Sequence, residues 1–360
     1  MADISESELA KIQSQGEEIT LELTDHEDTQ ESNRRWKTNL EKHPWLRDPP
    51  ECLKVKERTE NMGKRIKQLE EDDEIYMMKE GGRKMCLIIG NTKCKSYEEL
   101  MGCAKDNAYL SALFKQLNFE VTVKNNLTAK EMTAFLNEKK ENLKDVECFV
   151  CAITSHGNHT GILGTDEEVT SFLDIMKMFD RDNCRELSNK PKLFFFDVCR
   201  GRHEDVPKNP TVVNESTDAM IPPIKSDILV AHATSHDYVS FCHPEYGSWF
   251  CRSFVKVVSE NACRYNILDM LLKVNRKVGE FQSAKGSLQS AQFDSSMRKQ
   301  FFFSQPVIPE RLQIKMLSNL REKRGTKRKP DSKIFEVSII FILRKLKTLI
   351  THKLYGIMYA

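Results

Sequence analysis

The sequence has little that would direct it to a membrane or a secretory route. Its first 25 residues, MADISESELAKIQSQGEEITLELTD, contain no basic segment followed by an apolar core, so no secretory signal is expected. In the C-terminal part, the longest uncharged apolar stretch covers residues 337–343, far short of the roughly 20 residues that span a bilayer. The eleven cysteines are therefore expected to be reduced thiols in the cytoplasm.

A strong charge of one sign is also missing. The chain has 360 residues, with 55 basic and 53 acidic side chains and a net charge of +2. This balance provides no overall attraction to nucleic acid, and we expect no nucleic-acid partner. A hydrophobic fraction of 39% and a charged fraction of 30% are typical of a soluble globular protein with polar extensions.

Cysteine and histidine pairs with the spacing of a metal site are scarce. Cys148 and Cys151 form a C-x-x-C pair, but they lie in the apolar run ECFVCAIT, where strand alternation points them to opposite faces. His156 and His159 straddle a Gly-Asn turn and do not share a helix face. We therefore predict neither a metal site nor another cofactor.

From residue 85 onward, short apolar runs alternate with stretches of helical periodicity. Such alternation indicates βαβ units and a parallel sheet. A buried parallel strand reads as a continuous apolar run, and KLFFF is an example. The predicted strands are CLIIG, FEVTV at 119–123, ECFVCAIT at 147–154, KLFFF, DILVAHAT and FFFS at 301–304, and the predicted helices include 128–140, 171–179, 247–260 and 267–281.

Two predicted strand ends carry the residues with the clearest chemistry. One strand runs into TSHGNHTG, with His156 and Gly157, and KLFFF runs into DVCRG, with Cys199. Parallel sheets place their chemistry at the carboxyl ends of strands. An imidazole near a cysteine helps to form the thiolate and then protonates a leaving amine. Gly157 leaves a bare backbone N–H that, with the N–H of Cys199, can face a developing oxyanion.

Taken singly, a buried cysteine or a strand-end histidine is more often a packing residue than a catalytic one. Their joint occurrence, each beside a glycine, favours a cysteine protease. The chain resembles a caspase at this point, because DVCRG and SHG are similar to the caspase cysteine and histidine motifs. Residues 85–203 resemble the large subunit, and SDILVAHATSHDYVSFCHPEYGSWFCRSF with VNRKV resembles the small subunit.

The resemblance implies a caspase-like three-layer α/β sandwich, with a six-stranded, mostly parallel sheet flanked by helices. It also implies a zymogen that is cut in a linker, and a homodimer of large and small subunit pairs formed through the last strand. The expected organisation is a polar, disordered short prodomain at 1–83, large-subunit-like residues 84–203, a processing linker at 204–226, small-subunit-like residues 227–306 and a basic extension at 307–360.

The resemblance fails at the primary specificity pocket. Caspases select aspartate with two arginines and a glutamine, and the matching positions here are Leu100, Cys242 and Asp197. Loss of these donors should remove several orders of magnitude of preference for aspartate. Asp197, two residues before Cys199, resembles the metacaspase and paracaspase arrangement, whose acidic pocket takes Arg or Lys, and Asp106 would be its second acid. The alternative is a strand-end carboxylate paired with Arg200 or Arg202.

Other positions keep the caspase pattern. The resemblance makes Ser240 the residue whose backbone pairs with an extended substrate, while Val239, Phe241 and Trp249 form apolar walls. ESTDA and DHEDT are similar to caspase cleavage sites, which predicts processing at Asp218 and Asp28 by an upstream caspase.

The leading hypothesis is a caspase-family cysteine endopeptidase that cuts protein substrates in apoptosis or related signalling, with a preference for basic residues or for aspartate left open. The alternative is a silent homologue that acts as a decoy or regulatory dimer partner. The basic run at 321–330 is either a nuclear address or a solvated linker, and the linker is favoured because such runs are common.

Overall fold

The structure is a computed structural model that describes residues 29–56, 74–78, 82–204, 226–283 and 285–303. The predicted processing sites Asp28 and Asp218 and the basic extension at 307–360 lie outside the described residues. Within the described ranges, no helix combines the length and the apolar character needed to cross a membrane.

A six-stranded sheet forms the centre of the fold, in the order β12-β8-β6-β3-β1-β2. β12 runs antiparallel to β8, and the other neighbours are parallel. The strands are β1 (Arg83–Gly90), β2 (Glu120–Asn125), β3 (Val146–Thr154), β4 (Gly161–Leu163), β5 (Val169–Ser171), β6 (Lys192–Asp197), β7 (Gly201–His203), β8 (Ile228–His232), β9 (Asp237–Tyr238), β10 (Cys242–His243), β11 (Gly247–Ser248) and β12 (Gln292–Ser295).

Helices cover both faces of the sheet, as expected for parallel strands that are buried on both sides. They are α1 (Thr29–Lys42), α2 (Met101–Gln116), α3 (Ala129–Lys140), α4 (Phe172–Met178), α5 (Trp249–Asn261) and α6 (Ile267–Val278). Short 3-10 helices occupy Pro44–Arg47, Pro50–Cys52 and Arg185–Leu187. One apolar core lies between the sheet and α2, α5 and α6, and a second core lies between the sheet and α3 and α4. The predicted three-layer α/β sandwich is confirmed.

The central strand β3 shows why the sheet has two cores. All nine of its residues are buried, and they alternate between the two sides. Cys148 belongs to the core beneath α2, whereas Cys151 belongs to the core beneath α3. The prediction that the C-x-x-C thiols point to opposite faces is therefore confirmed.

The last strand differs from the prediction. FFFS was expected to form it, but the edge strand is β12, with the sequence QFDS, and Phe301–Phe303 are not in a strand. Phe303 instead packs against Phe114 and Phe119, with ring centroids 6.0 and 6.2 Å apart. An edge strand needs little apolar surface, so its hydrophobic pattern in the sequence is weak. A buried run of aromatic residues outside the sheet has the same sequence pattern as a buried strand.

Part of the polar leader has regular structure that the sequence pattern did not predict. Residues 1–83 were expected to be partly disordered, and α1 and the 3-10 helices that follow it lie in the described part. Leu40, Leu46 and Tyr76 are buried. The sequence pattern did not predict these elements because the segment is charged and its tryptophans and leucines are widely spaced. These residues are buried through contacts with distant residues and form no continuous periodicity.

Candidate active site

The register of β3 and β6 brings the two predicted catalytic residues to one edge of the sheet. Thr154 pairs with Asp197, and both lie at the end of their strand. His156 and Cys199 each follow two residues later, and both side chains are partly exposed. The strands thus place both residues as the sequence predicts.

His156 is oriented by a backbone group that sequence reasoning missed. Its Nε2 atom lies 2.7 Å from the carbonyl oxygen of Glu98, in the loop before α2. Because a carbonyl can only accept, Nε2 carries the proton and Nδ1 is left as the basic nitrogen. The ring also lies 4.8 Å from that of Tyr97. Burial lowers the pKa of His156, and the Glu98 carbonyl opposes that shift.

Cys199 contacts the segment expected to bind the substrate backbone. Its Sγ lies 3.4 Å from the backbone N of Ser240 and 3.8 Å from the carbonyl oxygen of Ser240. Burial raises the pKa of the thiol, and Asp197 raises it further, while the Ser240 N–H acts in the opposite direction. Among the hydrogen bonds of the described residues, none joins Cys199 to His156. Burial therefore disfavours the thiolate form of Cys199 in this arrangement.

Gly157 lies directly against the segment that contains Val198 and Cys199. A Cβ atom there would be 2.8 Å from the carbonyl oxygen of Gly161 and 3.0 Å from both the carbonyl oxygen of Cys199 and Val198 Cβ. A side chain at this position would therefore push the two segments apart. The backbone of Gly157 is close to that of Cys199 because no side chain intervenes.

Asp197 and Asp106 form a buried acidic pair. Asp197 Oδ1 accepts a hydrogen bond from the Ser240 hydroxyl at 2.8 Å, and Oδ2 accepts one from the Ser248 hydroxyl. The backbone N–H of Ser248 donates to both carboxylate oxygens of Asp106, at 3.1 and 3.0 Å. Burial raises the pKa of both carboxyl groups, and repulsion from Asp197 adds to the rise at Asp106.

The alternative in which Arg200 neutralises Asp197 is wrong. The guanidinium of Arg200 donates to Gln292 at 2.8 Å and to the carbonyl of Thr234 at 3.4 Å. Arg202 is exposed on β7, whereas Asp197 is only 8% exposed. Among the described residues, Asp197 is thus partnered by hydroxyl groups and not by a cation.

Three cysteines lie close to the acidic pair. Cys242, at a position where caspases have an arginine, has its pKa raised by a hydrogen bond with Cys103, by burial and by Asp106. Asp106, Asp197 and Cys251 are the described residues whose ligand atoms, all within 4.8 Å of one another, are near enough to share a metal ion. The serine hydrogen bonds already satisfy much of the capacity of the two carboxylates.

The predicted substrate walls are only partly open. Val239 and Phe241 are partly exposed, as a wall requires. Trp249 is only 2% exposed, because its ring stacks on Phe241 at 4.6 Å and on Phe281 at 5.4 Å. The role of Trp249 as an apolar wall stays a prediction, and its side chain is buried in this state. Trp36 of the leader lies at its edge, 6.4 Å away.

A partly exposed cysteine and histidine follow the ends of two neighbouring strands in a three-layer α/β sandwich. This arrangement is typical of one class of cysteine peptidases. The family model described as Caspase domain matches residues 83–302. The chain therefore belongs to the caspase family, whose members are cysteine endopeptidases.

Three curated relatives illustrate the similarity. Caspase-3 of Bos taurus is 33% identical over 220 residues, which cover 59% of this chain and 78% of that protein. Caspase-7 of Gallus gallus is 33% identical over 204 residues, covering 53% of this chain and 65% of the relative. Caspase-8 of Mus musculus is 28% identical over 329 residues, covering 83% of this chain and 68% of the relative.

Proposed function

We propose that the chain is a cysteine endopeptidase, made as a zymogen, that cleaves protein substrates after a basic residue. The observation that carries the preference is the pair of buried carboxylates, Asp106 and Asp197, one of which lies two residues before Cys199. A cationic side chain would relieve the repulsion between them and accept their charge. An aspartate side chain would add a third acid to the pocket.

The chemical steps follow from the orientation of His156. Nδ1 removes the thiol proton of Cys199, and the thiolate attacks the scissile carbonyl carbon to form a tetrahedral oxyanion. The N–H groups of Gly157 and Cys199 stabilise that oxyanion. The C–N bond breaks as His156 protonates the leaving amine, and water then hydrolyses the thioester to release the acid and regenerate the thiol.

We propose that the uncut chain is inactive because Cys199 and His156 are not yet in contact. The acidic pair is buried, and the Cys199 thiol contacts Ser240 and not His156. We expect a cut at Asp218 by an upstream caspase to release this arrangement. Assembly into a homodimer through the edge strand β12, a cytoplasmic location and a role in apoptosis or related signalling belong to the same proposal.

The experiment that tests the function is hydrolysis of a peptide library, varied at the residue before the scissile bond. The enzyme would be the full chain after cleavage at Asp218, with Cys199→Ala as the control. Cleavage after Arg or Lys, absent in the control and weakened by Asp197→Gln, is the expected result. Cleavage after Asp would contradict the basic preference, and no cleavage by a folded, cut protein would contradict the enzyme.

A second candidate function is a regulatory dimer partner of other caspases. The observation that favours it is the state of the nucleophile, whose pKa is raised and which has no hydrogen bond to His156 among the described contacts. Labelling of Cys199 by a peptide electrophile that bears Arg distinguishes the two functions. Labelling after the Asp218 cut supports the endopeptidase, while a cut dimer that resists labelling supports the regulatory partner.

A further inference from the structure

Part of the leader is fastened to the catalytic domain by specific hydrogen bonds. The Asn39 amide donates to the carbonyl of Gln282 at 2.9 Å. The buried Arg252 guanidinium of α5 donates to the carbonyls of Trp45 and Leu46 at 3.2 and 3.1 Å. These contacts attach residues 39–46 beside α5 and the segment that follows α6. Helix α1 is therefore held where it ends.

Trp36 extends from α1 onto an aromatic surface made by His243, Tyr246 and Trp249. Its ring centroid lies 4.1 Å from His243, 6.0 Å from Tyr246 and 6.4 Å from Trp249. Large aromatic side chains contribute much of the binding energy of protein contacts. We call His243, Tyr246 and Trp249 the aromatic surface.

The aromatic surface continues the substrate segment away from the nucleophile. Ser240 contacts Cys199, Phe241 stacks on Trp249, and His243 follows in β10. Strand β10 pairs with β11 in a two-stranded sheet, so its second edge has no strand partner among the described residues. A peptide that extends along this segment from Cys199 would reach the place that the Trp36 ring occupies.

The buried state leaves a polar group unsatisfied. The indole Nε1 of Trp249 is buried without a hydrogen-bond partner among the described residues, and Trp249 is only 2% exposed. A buried donor without a partner is destabilising, because it has lost water without gaining another acceptor. The rings of Phe241 and Phe281 stack on the indole and bury it together with Trp36, so displacement of Trp36 removes part of this cover.

Helix α1 is also suited to detach. Its sequence, TQESNRRWKTNLEK, is strongly polar, and Trp36 and Leu40 are its two large apolar residues. A 14-residue helix of this kind is marginal without tertiary contacts. We propose that α1 is a detachable cover: Trp36 occupies the upstream end of the substrate cleft, and an extended peptide must displace α1 to bind. This inference rests on the proposed function, because that function assigns the cleft to a peptide.

The test measures binding and needs no hydrolysis. Full-length chains that carry Cys199→Ala and have been cut at Asp218 are titrated with a fluorescent peptide, Trp-Val-Thr-Arg-Gly, in the forms with Trp36, with Trp36→Ala and with Lys37→Ala. If α1 covers the cleft in about nine molecules of ten, Trp36→Ala should lower the apparent Kd about tenfold. Lys37 is exposed on the same helix, so its variant should bind like the chain with Trp36.

Equal peptide affinity of the Trp36 and Trp36→Ala chains would overturn the proposal that α1 covers the cleft. Hydrogen exchange is a second test, and it needs no substitution at Trp36. Addition of the peptide should accelerate amide exchange in residues 29–38, before the attached segment, and bound peptide with unchanged exchange there would also overturn it. Because neither reading requires cleavage, an inactive enzyme with a displaceable α1 would contradict only the proposed catalysis.

Discussion

The hydroxyl of Ser240 donates a hydrogen bond to Oδ1 of Asp197 at 2.8 Å. The backbone N–H of Ser240 lies 3.4 Å from the sulfur of Cys199. One residue therefore links the acidic pair to Cys199. Its side chain contacts the carboxylate of Asp197, and its main chain contacts the thiol.

Ser240→Ala should separate these two roles. The variant keeps the backbone N–H but removes one of the two hydroxyl donors to Asp197, so Asp197 becomes harder to ionise and binds a cation less well. Loss of a hydrogen bond to a charged group corresponds to about 1.5–3 kcal/mol, or roughly tenfold to a hundredfold in kcat/KM for Arg peptides. Steady-state kinetics with Arg and Ala peptides check this, and an equal loss for both would contradict it.

In a pH profile of activity, the decrease on the acid side should lie at an unusually low pH. Burial lowers the pKa of His156 from the ordinary value of 6.5, and the enzyme needs the neutral imidazole as a base. Activity should therefore rise with pH through a pKa below 6.5 and be complete by neutrality. A profile of kcat/KM between pH 4.5 and 8 tests this, and a midpoint above 6.5 would be the contrary result.

Asp197→Asn should stabilise the fold more at high pH than at low pH. Burial raises the folded-state pKa of Asp197 above 3.8, so the folded form binds protons more tightly than the unfolded form. The penalty for an ionised Asp197 is therefore absent below the unfolded pKa near 3.8, grows as the pH rises from there to the folded pKa, and is constant above it. Thermal unfolding at pH 3.5 and pH 8 should show a larger increase in Tm at pH 8. An equal shift at both values would refute this origin.

Gly157→Ala should abolish most activity, whereas Gly279→Ala should not. The new methyl group would meet backbone at 2.8 and 3.0 Å at position 157, but its nearest contact is 3.5 Å at position 279. Displacing an oxyanion donor lowers kcat by about a hundredfold to a thousandfold. Both variants are compared by kcat and by far-UV circular dichroism. Full activity of Gly157→Ala would contradict a role for this glycine in the active site.

Arg252→Lys should destabilise the domain and loosen the leader. The guanidinium is 3% exposed, lies 3.4 Å from the ring centroid of Tyr109 and donates to two leader carbonyls. The ammonium group of a lysine cannot present the planar set of N–H donors of a guanidinium and cannot stack on the ring of Tyr109. We therefore expect a loss of about 2–3 kcal/mol in the free energy of unfolding. Arg276→Lys, at an exposed position, is the matched control and should change little. Denaturant unfolding that leaves both variants equal would contradict the role of Arg252.

Much of the sheet was predictable because buried parallel strands are continuous apolar runs. KLFFF, for example, gives β6, which is buried along its whole length. The same reasoning failed at FFFS, because burial among helices and burial in a sheet produce the same apolar run. It also missed β12, whose sequence QFDS contains one large apolar residue.

The positions of His156 and Cys199 could be predicted from the sequence, because each lies two residues after the end of an apolar strand. The contacts that these residues make depend on how distant parts of the chain pack together. The Glu98 carbonyl is 58 residues from His156, and Ser240 is 41 residues from Cys199. Backbone carbonyls and N–H groups are common to nearly all residues, so no residue type announces such partners in a sequence. Trp36 and its distant aromatic neighbours meet for the same reason: chain packing, and not local periodicity, brings them together.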